Sequence, residues 1–115
     1  QMCIRDRVRQ NCIRFLIEEK RINKYSIAIE KEIEFNGIKK RFDIVSYSSE
    51  GKINLLVECK APNIEINQKT FDQILIYNKI LKSKYLMVTN GINHYYCKIN
   101  EDRNNIKFLA NFPLI

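Results

Sequence analysis

Ile53-Asn54-Leu55-Leu56-Val57-Glu58-Cys59-Lys60-Ala61-Pro62 is an apolar run of strand length that ends in an acid, a base and a proline. Pro62 closes it, because proline has no N–H for a central ladder. Glu58 and Lys60 are two apart and share a face of the predicted strand. A carboxylate amid such residues costs desolvation free energy unless it is paired or holds a metal. The same applies to Asp43 in Phe42-Asp43-Ile44-Val45, fifteen residues upstream. Ser49-Glu50-Gly51-Lys52 lies between the two runs, and Gly51 can take the positive φ of a tight turn. With Glu50 and Gly51 as the central turn residues, Asp43 falls directly opposite Glu58, Cβ atoms about 4.5–5.5 Å apart.

Outward from there, Asn36-Gly37 is a hairpin signal joining Tyr25–Phe35 to Ile38–Tyr47. Its register pairs Glu34 with Lys39, Glu32 with Arg41 and Glu30 with Asp43. Across the three strands Ile27, Ile29, Ile33, Phe35, Ile38, Phe42, Ile44, Ile53, Leu55, Val57 and Cys59 then share one face, leaving the charges on the other. Like charges directly opposed destabilise a sheet, and a divalent ion between Asp43 and Glu58 removes the penalty. The alternative is a solvated face on which Lys39 and Lys60 offset the acids. Glu30 reads either as an extra ligand or, by preference, as a salt-bridge partner.

Helical spacing of Val8, Cys12, Phe15, Leu16 and Glu19 predicts a helix over Val8–Lys20. A second helix, capped by Asn67 or Thr70 and running to about Lys82, buries Phe71, Ile74, Leu75 and Leu81. Gln73 and Tyr77, at i and i+4, share one face of it. Lys84–Thr89 reads as a short apolar strand, Asn90-Gly91 as a turn into Asn93–Ile99, and Ile106–Leu109 as a last strand. The order is α-β-β-β-α-β with further strands, without repeats or linkers.

The chain has 115 residues, 20 basic against 13 acidic, with net charge +7. That length supports one domain, and the apolar content is ordinary for a packed core. A polyanion partner such as DNA suits the charge, although heavy use of Ile, Lys and Asn, the composition of an AT-rich bacterial genome, raises the basic balance by itself. No run approaches a membrane span, and no secretory signal is visible. Cys3, Cys12, Cys59 and Cys97 lack CxxC spacing and a histidine cluster, and read as reduced thiols of a cytoplasmic protein. Residues 1–7, Gln-Met-Cys-Ile-Arg-Asp-Arg, read as a non-native segment of the kind a translated sequencing adapter leaves; residues 8–115 form the single domain. The basic balance survives their removal. His94, after a turn, reads as structural. Gly-rich phosphate loops and helicase motifs are absent, so the chain carries no motor.

Five stretches together resemble the N-terminal nuclease domain of type I restriction enzyme R subunits, within the PD-(D/E)XK nuclease superfamily. They are Val8-Arg9-Gln10-Asn11, Arg41–Val45, Leu55–Pro62, Phe71-Asp72-Gln73 with Tyr77, and Val88-Thr89-Asn90-Gly91. The resemblance covers roughly Val8 to Phe112. It implies an α/β, restriction-endonuclease-like core, a mixed sheet flanked by helices. It further implies that Asp43 and Glu58 hold Mg²⁺ with the main-chain carbonyl of Cys59, and that Lys60 orients and helps deprotonate the attacking water. Gln73 and Tyr77 support the site and the DNA beside it. Phe42 stands where the superfamily has proline. An acidic residue on the first helix often completes such a site; its place falls at or before Asp6, with Glu18 and Glu19 as weaker candidates.

The expected function is Mg²⁺-dependent DNA endonuclease activity in a restriction system, alongside motor, methylation and specificity subunits. Two alternatives stay open: a catalytically inactive DNA-binding or protein-interaction module of the same fold, and a repair or recombination nuclease.

Overall fold

The computed structural model describes residues 3–100 and 105–115. Gln1 and Met2, the first two residues of the expected non-native segment, lie outside the described residues, as does the side chain of Phe35. Helix α1 spans Ile4–Arg14 and widens into a π turn over Phe15–Glu19. Strands β1 (Ile27–Phe35), β2 (Ile38–Tyr47) and β3 (Ile53–Cys59) follow, then helix α2 (Gln68–Leu81) and strands β4 (Tyr85–Thr89), β5 (His94–Ile99) and β6 (Ile106–Leu109). They form one six-stranded mixed sheet in sequence order. Among the described residues only β3 and β4, joined through α2, run parallel. The fold is α/β, and its elements follow the expected α-β-β-β-α-β order. Among the described residues no helix is long and apolar enough to cross a membrane.

Local chemistry explains most element ends. Asn36 and Gly37 both have positive φ, 52° and 79°, as a two-residue turn matched to strand twist demands. The next hairpin differs from expectation. Ser48 N–H bonds Lys52 O, and Gly51 N–H bonds Ser48 O, so the loop has three residues with Gly51 at φ 80°. A bulge between Ser46 and Tyr47 absorbs the one-residue difference. Ser46 therefore faces Leu55, Val45 faces Leu56 and Ile44 faces Val57, the alignment that places Asp43 beside Glu58. Asn67 precedes α2 without a side-chain cap, and Lys82 ends it at φ 56°. The fully buried Asn78 secures that end: its amide donates to Ser83 O and accepts from Ser83 N–H.

The expectation of one apolar and one charged face requires correction. Phe42–Ser46 and Leu55–Cys59 are each five consecutive buried residues, so the central strands are covered on both sides. Val8 and Cys12 of α1 and Leu16 of the π turn pack on Ile44, Leu55, Val57 and Cys59. Phe71 and Ile74 of α2 pack on Phe42, Val45 and Leu56. Phe42 and Val45 share a face although they are three apart. The pleat therefore slips between them, opposite Glu30, whose φ of 56° breaks the alternation of β1. Ile33 follows Phe42 to the α2 face, whereas Ile29 and Ile38 are exposed.

Candidate active site

Asp43 sits at the slip in β2, and Glu58 next to the end of β3. Both are buried, at 3% and 4% exposure. Asp43 Oδ2 accepts the Cys59 N–H at 2.8 Å, standing in for a backbone partner just past the last ladder pair. The register of the two strands sets Asp43 across from Glu58, and the two carboxyl groups interact. Burial first, then this contact, pushes the Glu58 carboxyl up to about 7, against the opposing pull of Lys40. The face around the two carboxyl groups is not solvated.

Lys40 Nζ lies 2.7 Å from Glu58 Oε2 and 5.4 Å from the centre of the Phe42 ring. Sequence reasoning missed this lysine. Simple alternation puts residues 40 and 43 on opposite faces, and only the slipped pleat brings Lys40 to the acids. Arg5 Nη2 stands 3.8 Å from Asp43 Oδ1. Glu30 pairs with Arg9 of α1 at 2.7 Å, and Arg9 is 3.6 Å from Asp6. The main-chain geometry of Glu30 turns it from the strand ladder towards that arginine.

Lys60 lies just beyond β3, where its N–H bonds Thr89 O. Among the described residues its ammonium makes no ion pair. Tyr77 is half-buried and meets Phe42 edge-on, ring centres 6.2 Å apart, so it reaches the site through that ring. Gln73 is exposed on α2. Glu18 and Glu19 are exposed at the end of the π turn. His94 Nδ1 shares a hydrogen bond with Thr89 Oγ1 at 2.6 Å. The neighbouring Cys12 thiol, then burial, raise the Cys59 thiol above its usual range. That sulfur, beneath α1, is no ligand for a hard cation.

Asp43 and Glu58 thus present hard oxygens from two neighbouring strands. Among the described residues no group of three or more His, Cys, Asp and Glu side chains gathers to hold a metal. The type I restriction enzyme R protein N terminus (HSDR_N) family matches residues 5–113, nearly the whole chain. The chain belongs to that family. Among curated proteins, none matches it. For this R-protein N-terminal domain the family indicates a restriction-modification role in a multi-subunit restriction complex. The carboxylate pair lies at the centre of the matched region, at the joint between the two hairpins.

Proposed function

We propose that this domain is a Mg²⁺-dependent DNA endonuclease with a PD-(D/E)XK core, acting in a type I restriction complex. The observation that carries the reading is the buried Asp43–Glu58 pair, two carboxylates on neighbouring strands inside a sheet covered on both faces. The donor set fits Mg²⁺, a cation that takes oxygen ligands and keeps part of its water shell. Asp43, Glu58 and the Cys59 carbonyl would hold it. When bound, the ion supplies Lewis acidity and a lowered pKa of water.

The chain's own groups do the rest. Asp43 is pinned by the Cys59 N–H, which fixes one oxygen; the other, 3.8 Å from Arg5, would be the one offered to a cation. Lys60 orients the attacking water and stabilises charge on the scissile phosphate. Gln73 and Tyr77 border the DNA, Tyr77 by bracing Phe42 and Gln73 by its exposed amide. DNA, with motor, methylation and specificity subunits, completes the proposed set of partners.

A second reading has one observation in its favour. Lys40 already neutralises Glu58 at 2.7 Å, which suits a domain that binds DNA without cutting it. Nicking of supercoiled DNA by the purified chain separates the two. The nuclease reading expects Mg²⁺-dependent cleavage that Asp43→Ala and Lys60→Ala abolish. DNA binding without metal-dependent cleavage on supercoiled, linear or single-stranded substrates supports the binding module.

A further inference from the structure

The carboxylate pair is met by cations that belong to the chain itself: the half-exposed Arg5, 3.8 Å from Asp43, and, in closer contact, Lys40 on Glu58. Lys40 Nζ contacts Glu58 Oε2 at 2.7 Å, and 27% of the lysine side chain remains exposed. One side of its ammonium faces the anion. Another faces the fully buried Phe42 ring, at 5.4 Å from its centre. The ring in turn takes the edge of Tyr77. The remaining side opens to water. An ammonium held this way is partly desolvated, charge-paired and seated against an aromatic ring, yet it has an exit. Lys60, the lysine of the Glu-x-Lys triplet, does the proposed chemistry; Lys40 has no part in it.

A divalent ion between Asp43 and Glu58 competes with Lys40 for the same carboxylate. Even with the dielectric of bulk water, one positive charge about 5 Å from a divalent ion disfavours its binding by about tenfold or more. Loading the site is therefore favoured by opening of the Lys40–Glu58 pair, with the ammonium moving out to water.

We infer that Lys40 is a built-in counter-ion of Glu58, which occupies the Glu58 side of the Asp43–Glu58 pair in the metal-free domain and sets how tightly a divalent ion binds there. The inference rests on the metal-site reading above and deepens it. Lys40 is a positioning residue for Glu58, and a purely structural lysine would lower stability on removal without tightening metal binding.

Calorimetric titration of the full chain with Ca²⁺ provides a readout independent of cleavage. Lys40→Met is expected to bind Ca²⁺ at least about tenfold more tightly than wild type. Its metal-free melting temperature falls, because Glu58 is left without its partner. Lys40→Arg, which keeps the charge, retains wild-type affinity, and Glu58→Gln loses binding. Lys40→Gln, which keeps a hydrogen-bond donor, repeats the comparison if the methionine variant folds poorly. Measurable wild-type binding with equal or weaker affinity in both neutral variants overturns the inference and leaves the metal site standing. Full Ca²⁺ binding by Glu58→Gln overturns it by placing the ion elsewhere. Binding by neither wild type nor the neutral variants overturns the metal-site reading and the inference together.

Discussion

Replacing Asp43 by asparagine and by alanine separates the two tasks of its carboxylate. One oxygen accepts the Cys59 N–H at 2.8 Å in a site that is 3% exposed. Alanine leaves that N–H buried without a partner, a cost of about 1–3 kcal/mol. Relief of the unfavourable contact with Glu58 offsets part of it. Asparagine keeps the acceptor for Cys59 and turns its amide donor towards Glu58, so it removes the same repulsion and loses no hydrogen bond. Asp43→Asn is therefore expected to exceed Asp43→Ala in stability by about 1–3 kcal/mol, or about 4–12 °C in melting temperature for a domain of this size. Both variants lose cleavage, since a neutral amide is a poor ligand for a hard divalent ion. Thermal unfolding in chelator and nicking of supercoiled DNA in Mg²⁺, measured on the same preparations, test the pair. Equal melting temperatures would refute the hydrogen-bond argument. Wild-type cleavage by the asparagine variant would refute the role of the charge.

Three further outcomes are expected. Glu58 has its carboxyl raised from the usual carboxylate range to about 7, so its proton is held more tightly in the folded than in the unfolded state. That contribution to stability is fully present below about pH 4.5 and is lost as pH rises through about 7, a change of up to about 3 kcal/mol. Urea unfolding of metal-free protein across this window reads it, and Glu58→Gln flattens the profile; an unchanged profile in that variant places the titration elsewhere. Asn78→Ala removes two hydrogen bonds to Ser83 from a fully buried position and lowers stability by about 2–4 kcal/mol, visible as a lower urea midpoint. A loss under about 0.5 kcal/mol means that the α2–β4 joint is held some other way. Gln73→Ala, at an exposed helix position, changes stability by less than about 0.5 kcal/mol yet slows cleavage. A proportional loss of melting temperature and activity makes Gln73 structural instead.

Much of this protein is legible in short stretches, because the forces that shape them act over a few residues. Asn36-Gly37 specifies its turn by the φ values that only such residues adopt cheaply. Pro62 stops β3, and the apolar stripe Phe71, Ile74, Leu75 and Leu81 places α2 whatever lies around it. The placing of Asp43 beside Glu58 also follows from the two hairpins, although by a route the residues do not announce: a three-residue loop where two were expected, then a bulge that restores the alignment. Local propensity does not distinguish those two arrangements, because both place a glycine with positive φ in the turn.

Tertiary structure alone decided which lysine meets the acids. Strict alternation sends Lys40 away from Asp43 and joins Phe42 to Ile44. The left-handed backbone at Glu30, with Arg9 of α1 holding its carboxylate, accompanies a slip of the pleat that turns Lys40 and Phe42 towards α2. Burial of both sheet faces was likewise beyond local reading, because Val45 and Leu56 become core only when α2 covers them. The carboxylates are written in the strand; their desolvation and their counter-ion come from helices and a strand distortion far away in sequence. Local residues choose turns and periods, whereas the environment of a charge depends on everything packed around it.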